Sequence, residues 1–312
     1  MSGTEGPVTL VVGAGGLLGS AVVRAAREQG DEVVVLSVPW SDPTAARRAL
    51  VDGVRDLWDR AGDRPWRWYW CAGTGVVSTP SDVVGAEAEL VEAVLRDLGV
   101  DAHPARARGT LFFASSAGAL YAGNDAPPYD ESSPLMPLSA YGRVKLRIEE
   151  AFSAWTARTR DRLLVGRIST LYGPAQDIAK PQGLISHLVD ARLADRRSTL
   201  YVPLSTERDF LWADDAGAMV VGAVAALEAS GQREVVKIVA SCEGVTLAEV
   251  VSAVEEAVGL PLLLDLVETD DTTVQSHPLR FATRVLTEAP GATTSLLEGI
   301  RVVVEARRAA GS

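Results

Sequence analysis

Tyr141 and Lys145 are separated by three residues in the segment Tyr141-Gly-Arg-Val-Lys145, which pairs a phenol with an amine. On a helix this spacing places both side chains on one face, one turn apart. An ammonium group beside a phenol favours the phenolate, so the tyrosine can exchange a proton near neutral pH. The pair alone is weak evidence, because an aromatic residue and a solvated lysine often share this spacing. Its meaning depends on the elements that surround it.

Two serines end a predicted strand upstream of this pair. The apolar run 110–116 predicts the strand, and Ser115 and Ser116 form its carboxyl end. A loop rich in Pro, Asp and Ser, residues 123–137, leads from there to the predicted helix 139–155, which carries the phenol and the amine. A serine at this strand end brings a hydroxyl donor to the same cleft. The three groups together indicate acid–base chemistry at a substrate oxygen.

A glycine-rich turn near the N-terminus connects a short apolar strand to a helix. Gly13, Gly16 and Gly19 follow the strand 9–12, and the next segment has helical apolar spacing up to Gly30. Glycine permits a tight turn and lets a phosphate approach the backbone, while the N–H groups at the helix start favour an anion. Three glycines alone can be only a turn. The strand before them, the helix after them and a second strand favour dinucleotide binding.

Strands and helices alternate through the first half of the chain. The predicted strands are 9–12, 32–36, 68–73, 110–116 and 163–171, and the predicted helices are 19–30, 43–61, 81–98 and 139–155. This alternation predicts an α/β fold with a doubly wound parallel (Rossmann) sheet and right-handed crossovers. Beyond residue 174 the alternation of predicted strands and helices is less regular. We therefore predict a Rossmann domain, residues 1–174, and a smaller interleaved substrate lobe, residues 175–312, whose segment 203–240 returns to the main sheet.

Trp66, Trp68 and Trp70 alternate with Arg67 and Tyr69 at the start of the third predicted strand. Such an aromatic ladder can form a binding surface. Core packing beneath the sheet is the favoured interpretation, because large aromatic side chains are enriched in strands and are mostly buried.

Composition and charge exclude several classes of protein. Thirty basic and 41 acidic residues give a net charge of −11, which argues against general binding to nucleic acid or an anionic membrane. The sequence shows neither a bilayer-spanning apolar run nor the basic region of a signal peptide. Cys71 and Cys242 are too few for a disulfide framework, so we expect a soluble protein in a reducing cytoplasm. The three histidines share no ligand spacing with them, so we expect no structural metal.

Two later segments extend the pattern. Arg167-Ile-Ser-Thr-Leu-Tyr-Gly-Pro174 resembles the motif R-x-x-N-x-Y-G-P, with Thr170 where asparagine is usual, and Arg208-Asp-Phe-Leu-Trp-Ala-Asp-Asp215 resembles R-D-F-x-x-x-x-D. Taken in order with the glycine turn, the serines before Tyr121 and the Y-x-x-x-K pair, they resemble the extended short-chain dehydrogenase/reductase family. Within it, the resemblance is to the NAD-dependent epimerase/dehydratase group, and it covers roughly residues 9–260.

The resemblance implies catalytic and cofactor-binding roles. Tyr141 would be the acid/base, Lys145 would lower its pKa and bind the nicotinamide ribose, and Ser116 would hydrogen-bond the reacting oxygen. The cofactor-binding residues that it implies are Gly13, Gly16, Leu17, Leu18, Gly19, Ser37, Ala72, Gly73, Ser115, Tyr141 and Lys145. The cofactor would be NAD or NADP.

The resemblance also implies a substrate side of the site. Its candidate residues are Ala117, Thr170, Arg208 and Arg280. Arg208 is the candidate for a substrate phosphate, because a guanidinium group binds phosphate in a forked geometry. The alternative for Arg208 is a surface ion pair with Asp209 or Asp214. Arg280 or Arg284 would add a second contact.

The chain departs from the family pattern at two functional positions. The family's hydroxyl residue lies four before the tyrosine of its Y-G segment, where this chain has Ala117, so Ser116 must take that role. Ser37 follows the second strand in place of the acidic residue that grips the 2′-hydroxyl of NAD. A neutral serine does not repel a 2′-phosphate, and Arg47 or Arg48 can approach one. The choice between NAD and NADP therefore stays open.

The implied function is a reaction at a secondary alcohol or ketone, within a nucleotide sugar. We expect an NAD(P)-dependent sugar-nucleotide epimerase, with a ketoreductase of a keto-sugar nucleotide or a related small ketone as the alternative. A catalytically silent dinucleotide sensor or a methyltransferase with a similar loop does not explain the serine, tyrosine and lysine together. A homodimer is compatible with the resemblance.

Dehydration is not expected. Relatives that eliminate water carry an acidic pair where this chain has Gly118 and Ala119, and neither residue titrates. Asp125, Asp130 and Glu131 follow in the next loop, and nothing in the sequence aims them at a substrate.

Overall fold

The computed structural model describes residues 6–73, 75, 77, 79–100, 109–179, 182–267 and 277–311. The strands in these ranges are β1 (Val8–Val12), β2 (Glu32–Val35), β3 (Trp66–Trp70), β4 (Gly109–Ser116), β5 (Arg162–Ile168), β6 (Thr170–Tyr172), β7 (Ser198–Leu200), β8 (Glu207–Trp212), β9 (Glu234–Val239), β10 (Gly244–Thr246) and β11 (Leu264–Leu266). The helices are α1 (Leu17–Glu28), α2 (Pro43–Ala61), α3 (Ser81–Leu98), α4 (Ala117–Leu120), α5 (Ala140–Thr159), α6 (Leu184–Leu193), α7 (Ala213–Ser230), α8 (Leu247–Val258) and α9 (Leu296–Gly311).

A parallel sheet of six of these strands forms the centre, in the order β2-β1-β3-β4-β5-β9. Helices α2, α3 and α5 cover one face, and α1 and α7 cover the other. Strands covered on both faces read as continuous apolar runs, as in β1. The chain runs outward from β1 to β2 and then returns to β3, so a switch point lies between the carboxyl ends of β1 and β3. Open α/β sheets bind ligands at such a point, and the predicted doubly wound sheet is confirmed.

The tryptophans of β3 lie in the core. Trp66, Trp68 and Trp70 are buried on the face covered by α5, and the Trp68 ring centroid lies 5.8 Å from that of Phe152. Arg67 is also buried, on the opposite face of the sheet. Its guanidinium donates two hydrogen bonds to the carboxylate of Glu228 on α7. Core packing of the ladder is confirmed. The strand begins two residues before its predicted start, because Arg67 has buried carboxylate partners.

A smaller group of elements stands beside the carboxyl end of the main sheet. Strands β10, β8 and β6 form one sheet and β11 pairs with β7, while α6, α8 and α9 pack around a shared apolar core. The predicted strand 163–171 is in fact two strands, β5 and β6, because the chain leaves the main sheet at Ser169. Both α7 and β9 pack within the main sheet layers although they follow residue 174. The domain division at that residue stays a prediction.

None of the helices in the described ranges is long and apolar enough to cross a membrane.

Candidate active site

The glycine turn between β1 and α1 lies directly against the end of β3. Gly13 has φ +85°, and a Cβ there would stand 2.6 Å from the backbone nitrogen of Ala72. A Cβ on Gly19 would stand 2.1 Å from the carbonyl oxygen of Gly13. Both contacts are shorter than any side chain allows, so the turn requires glycine at these positions. Gly16 N–H donates to the same Gly13 oxygen at 2.9 Å and closes the turn.

The amino end of α1 faces outward from this turn. Gly16 is its N-cap and has no side chain to accept a hydrogen bond from the first helical turn. Gly15 and Gly16 are exposed, and no atom of the described residues lies within 4 Å of a Cβ built on Gly15. Leu17 and Leu18 are the first two residues of α1, so their backbone N–H groups have no acceptor within the helix. The open cradle and the helix N-terminus fit the pyrophosphate of a dinucleotide.

The structure brings Tyr141 and Lys145 together on α5. The helix begins after Ser139, whose hydroxyl accepts a hydrogen bond from Gly142 N–H at 3.1 Å. Lys145 Nζ lies 5.6 Å from the Tyr141 ring centroid. A Cβ on Gly75 would lie 2.9 Å from Cδ2 of Tyr141, so Gly75 packs directly against the phenol ring. The predicted face-sharing of the two residues is therefore present.

Lys145 lies on the floor of the cleft. Its side chain is 4 % exposed, and its Nζ donates to Oε1 of Glu87 on α3 at 2.9 Å. A Cβ on Gly73 would stand 3.1 Å from the same Nζ, which places this predicted cofactor residue directly above the amine. Burial by itself lowers the pKa of Lys145, but the neighbouring Tyr141 and Glu87 outweigh burial and raise it above its ordinary value.

Glu87 was missed by the sequence reasoning. It falls on the face of α3 that also carries the buried residues Val84, Ala88 and Val91. A carboxylate on an otherwise apolar helix face needs a buried partner, and that signal could have pointed to a lysine. The identity of the partner was not readable, since α5 lies some fifty residues downstream.

The two serines of β4 have different partners. Ser115 is buried, and its hydroxyl donates to Oε1 of Glu149 on α5. Ser116 is half-buried and is the N-cap of α4, where its Oγ accepts from Ala119 N–H at 3.4 Å. Ala117 is fully buried. Of these three residues, Ser116 therefore has the hydroxyl that is most available to a ligand.

Glu149 and Arg167 form a buried pair behind Ser115. Arg167 donates to the Glu149 carboxylate from Nε at 3.2 Å and from Nη2 at 2.8 Å. Its Nη1 donates to the Tyr121 hydroxyl at 2.7 Å. The sequence motif singled out Arg167 without its partner. This network fixes the end of β4 relative to α5, and with it the position of both serines.

Arg208 lies on β8, the central strand of the three-stranded sheet β10-β8-β6, and pairs with Val245 of β10. Its Nη1 donates to the backbone oxygens of Glu207 at 2.7 Å and His277 at 2.8 Å. Burial lowers the pKa of its guanidinium to about 10. The acidic partners proposed for Arg208 are engaged elsewhere, since Asp214 pairs with Arg24 and Asp209 accepts from Ser241 N–H at 3.0 Å.

The other predicted substrate residues lie near β6 and β8. Thr170 is exposed at the start of β6. Arg280 Nε lies 3.2 Å from the carboxylate of Glu207, so Arg208 and Arg280 contact the same residue of β8. Arg284 instead pairs with Asp130 at 2.7 Å, away from these two.

The end of β2 is open where the adenosine ribose would lie. Ser37 is exposed. Arg47 is held by Asp97 of α3 in a forked pair, whereas Arg48 is exposed and forms no ion pair within the described residues. Of these two arginines, Arg48 is therefore the one whose guanidinium is not already engaged by a carboxylate.

The carboxylates of the loop after α4 are engaged within the fold. Asp130 accepts from Ser132 N–H and pairs with Arg284, and Glu131 accepts from the Ile238 N–H at 2.9 Å. Glu131 is thereby held at β9 and Asp130 at Arg284. Nor do the described residues place three or more His, Cys, Asp or Glu side chains where they could hold a metal ion.

The chain is similar to a known protein family and to several characterised proteins. Residues 9–238 match the NAD dependent epimerase/dehydratase family. A putative UDP-glucose 4-epimerase of Methanocaldococcus jannaschii is 32% identical over 105 residues, which cover 34% of each chain. The dTDP-4-dehydro-6-deoxyglucose reductase of Escherichia coli is 27% identical over 145 residues, covering 46% of this chain and 44% of the reductase. The chain thus spans less than half the length of these curated relatives.

Among solved structures, MoeE5 in complex with UDP-glucose and NAD is similar over the whole fold. The TM-score is 0.77 at 24% identity, and the match covers 98% of this chain and 100% of MoeE5. A likeness at this identity shows that the two chains share their fold.

Proposed function

Since this chain belongs to the NAD dependent epimerase/dehydratase family, we propose that it is an enzyme that transfers a hydride reversibly at a secondary alcohol of a nucleotide sugar. The observation that carries this proposal is the Tyr141–Lys145 pair, which lies beneath Gly73 and Gly75 at the switch point of the sheet. A phenol beside a buried ammonium group is suited to proton transfer. The adjacent glycine turn has the shape and polarity for a dinucleotide.

The chain's own groups divide the work at the reacting carbon. The Tyr141 oxygen takes the hydroxyl proton of the substrate as the carbinol C–H bond breaks, and it returns a proton when the alcohol is re-formed. Lys145 stabilises the phenolate, and its position below Gly73 suits contact with a ribose. Ser116 donates a hydrogen bond to the reacting oxygen in place of the residue missing at Ala117. The bound nicotinamide supplies the acceptor and, later, the donor of the hydride.

Epimerisation is the favoured outcome, with NAD or NADP as cofactor and a UDP- or dTDP-hexose as substrate. The substrate class follows from the relatives' names, a putative UDP-glucose 4-epimerase and a dTDP-sugar reductase. Dehydration is disfavoured because Gly118 and Ala119 bring no titratable group. The E. coli relative supports ketone reduction as the second candidate, since the same residues serve both reactions.

Product analysis separates these reactions. The purified protein is incubated with UDP- and dTDP-hexoses, and product configuration is followed together with the absorbance of reduced cofactor. Inverted configuration without net cofactor consumption supports the epimerase. Stoichiometric NADPH oxidation with a keto-sugar supports the reductase. Release of a 4-keto-6-deoxy sugar from a plain hexose contradicts both, and the Tyr141→Phe variant is the control for a contaminating activity.

Two predictions from the sequence, the cellular location and the homodimer, stay proposals. We place the protein in the cytoplasm, on the support of two free cysteines, Cys71 and Cys242. A homodimer also remains a proposal.

A further inference from the structure

Lys145 lies between two acidic groups from different helices. On one side the Tyr141 ring centroid is 5.6 Å from Nζ, and on the other side Oε1 of Glu87 is 2.9 Å from it. The lysine side chain is 4 % exposed and the Glu87 side chain 11 %. An ion pair this well buried interacts more strongly than one in water. The lysine that the proposed reaction requires therefore shares its charge with a carboxylate on α3.

The second oxygen of Glu87 is also buried. Oε2 has no hydrogen-bond partner among the described residues, and it would lie 3.8 Å from a Cβ on Gly73. A buried carboxylate oxygen without a partner is costly. Buried polar groups without a partner are enriched at functional sites, and this oxygen lies beneath Gly73, next to the lysine that the proposed reaction requires.

Each element around Lys145 contributes a defined charge. Helix α3 brings Glu87, and α5 brings Tyr141 and Glu149. The Glu149 carboxylate is already engaged by Arg167, so its effect on Lys145 is largely balanced. Strand β4 brings only an uncharged ring, that of Phe113, whose centroid lies 5.1 Å from Nζ. Among the residues that the structure describes, Glu87 is therefore the negative charge next to Lys145 Nζ that no other cation balances.

We propose that Glu87 is a positioning residue that holds the Lys145 ammonium group beneath Gly73 and limits how strongly its charge acts on the Tyr141 phenol. This inference rests on the proposed function for its catalytic meaning, because it assigns Glu87 to the acid–base pair. Glu87 touches neither the reacting oxygen nor the carbon, so it acts through Lys145.

Loss of the Glu87 charge should shift the pKa values of the Tyr141–Lys145 pair in one direction. Removing a negative charge next to the Tyr141–Lys145 pair makes both of its protons easier to release, whichever residue loses the first one. The pKa values of the pair must therefore both fall when Glu87 becomes neutral. Both limbs of the pH–rate profile then move toward acid pH.

The test follows Tyr141 directly, without substrate or turnover. The protein is labelled with ¹³C at Cζ of its tyrosines, and Tyr141→Phe assigns the resonance. Glu87→Gln should lower the midpoint of the Tyr141 titration by about one pH unit. Burial raises the pKa of four other tyrosines, Tyr69, Tyr121, Tyr129 and Tyr172, above the ordinary value of a tyrosine.

Glu92→Gln is the matched control. Glu92 also joins α3 to α5, through Arg147 at 2.6 Å and 2.7 Å, but it does not contact Lys145. Its removal should leave the Tyr141 midpoint unchanged. If Glu87→Gln does not fold, Glu87→Asp replaces it in the test. The shorter side chain moves the carboxylate away from Lys145 by one methylene, so the midpoint of the Tyr141 titration should fall, but by less than in Glu87→Gln.

An unchanged midpoint, or one moved to higher pH, overturns the inference. This result is independent of the proposed function. A protein that shifts as expected but converts no nucleotide sugar refutes the function alone, whereas an active epimerase with an unshifted midpoint refutes only the role of Glu87.

Discussion

Ser115 and Ser116 are neighbours on β4, yet their hydroxyl groups belong to different environments. Ser115 Oγ donates to the buried carboxylate of Glu149, and Ser116 Oγ accepts weakly from Ala119 N–H, at 3.4 Å, at the mouth of the cleft. Successive side chains of a strand point to opposite faces, which accounts for the difference. One serine is thus part of the core, and the other is the candidate for the reacting oxygen.

Substitution of each serine should therefore have a different effect. Ser116→Ala should lower kcat about 10²-fold, because one hydrogen bond to the reacting oxygen is lost. It should lower the free energy of unfolding by less than about 1 kcal/mol, since the cap hydrogen bond that it removes is long, at 3.4 Å. Ser115→Ala should lower the free energy of unfolding by about 1.5–3 kcal/mol, because it removes a buried hydrogen bond to a charged group. Steady-state kinetics and urea unfolding of both variants check this. A stable, inactive Ser115→Ala protein would reverse the two assignments.

Tyr141→Phe should separate chemistry from binding. We expect turnover to fall at least about 10²-fold, because the variant has no proton to transfer. Affinity for the dinucleotide should stay within a few-fold, since the glycine turn and Lys145 are unchanged. Kinetics and isothermal titration calorimetry give the two quantities. A variant that keeps about a tenth of the wild-type rate would rule out Tyr141 as the acid/base.

The glycine turn should tolerate alanine at one position and not at another. In Gly19→Ala the new Cβ would lie 2.1 Å from the Gly13 oxygen, so the turn must open. We expect a loss of about 1–3 kcal/mol in the free energy of unfolding and weaker dinucleotide binding. Gly15→Ala is the control, because its Cβ meets no described atom within 4 Å. Thermal unfolding of the two variants should therefore differ, and equal stabilities would contradict the geometry.

The main sheet could be predicted from the sequence because its signals are local. Each strand of the first half is an apolar run such as Val8–Val12, and each following helix has its own period and stop. The glycine turn and the Tyr141–Lys145 pair are also local patterns. The strands β8, β10 and β11 were not predicted, because short strands outside the main sheet depend on partners far away in the sequence.

The buried carboxylates were missed for the same reason. The apolar face around Glu87 hints at a buried partner but does not name it. Only the packing places Lys145 opposite Glu87 and Arg167 opposite Glu149. The partners of Arg208 could not be read from the sequence either. Its Nη1 donates to two backbone oxygens, and the phosphate contact that its motif suggested stays a prediction. Residue type indicated the charge in each case, and only the packing determined its partner.

Cofactor choice should depend on the end of β2. Ser37 is exposed there and carries no negative charge, so it does not repel the 2′-phosphate of NADP. We expect wild-type protein to bind NADP at least as well as NAD, or to discriminate weakly between them. Ser37→Asp should weaken NADP binding at least about tenfold, since like charges next to each other cost several kcal/mol, and it should spare NAD. Isothermal titration with each dinucleotide gives both affinities.

The arginines of α2 are the candidate partners of that phosphate. Arg47 is held in a forked pair by Asp97, whereas Arg48 is exposed on the same helix. Arg48→Ala should therefore weaken NADP binding and leave NAD binding unchanged. Arg47→Ala is the control: it should affect the contact between α2 and α3 without changing the preference between the cofactors. A hundredfold preference of the wild-type protein for NAD would mean that another residue grips the 2′-hydroxyl and that Ser37 does not decide the choice.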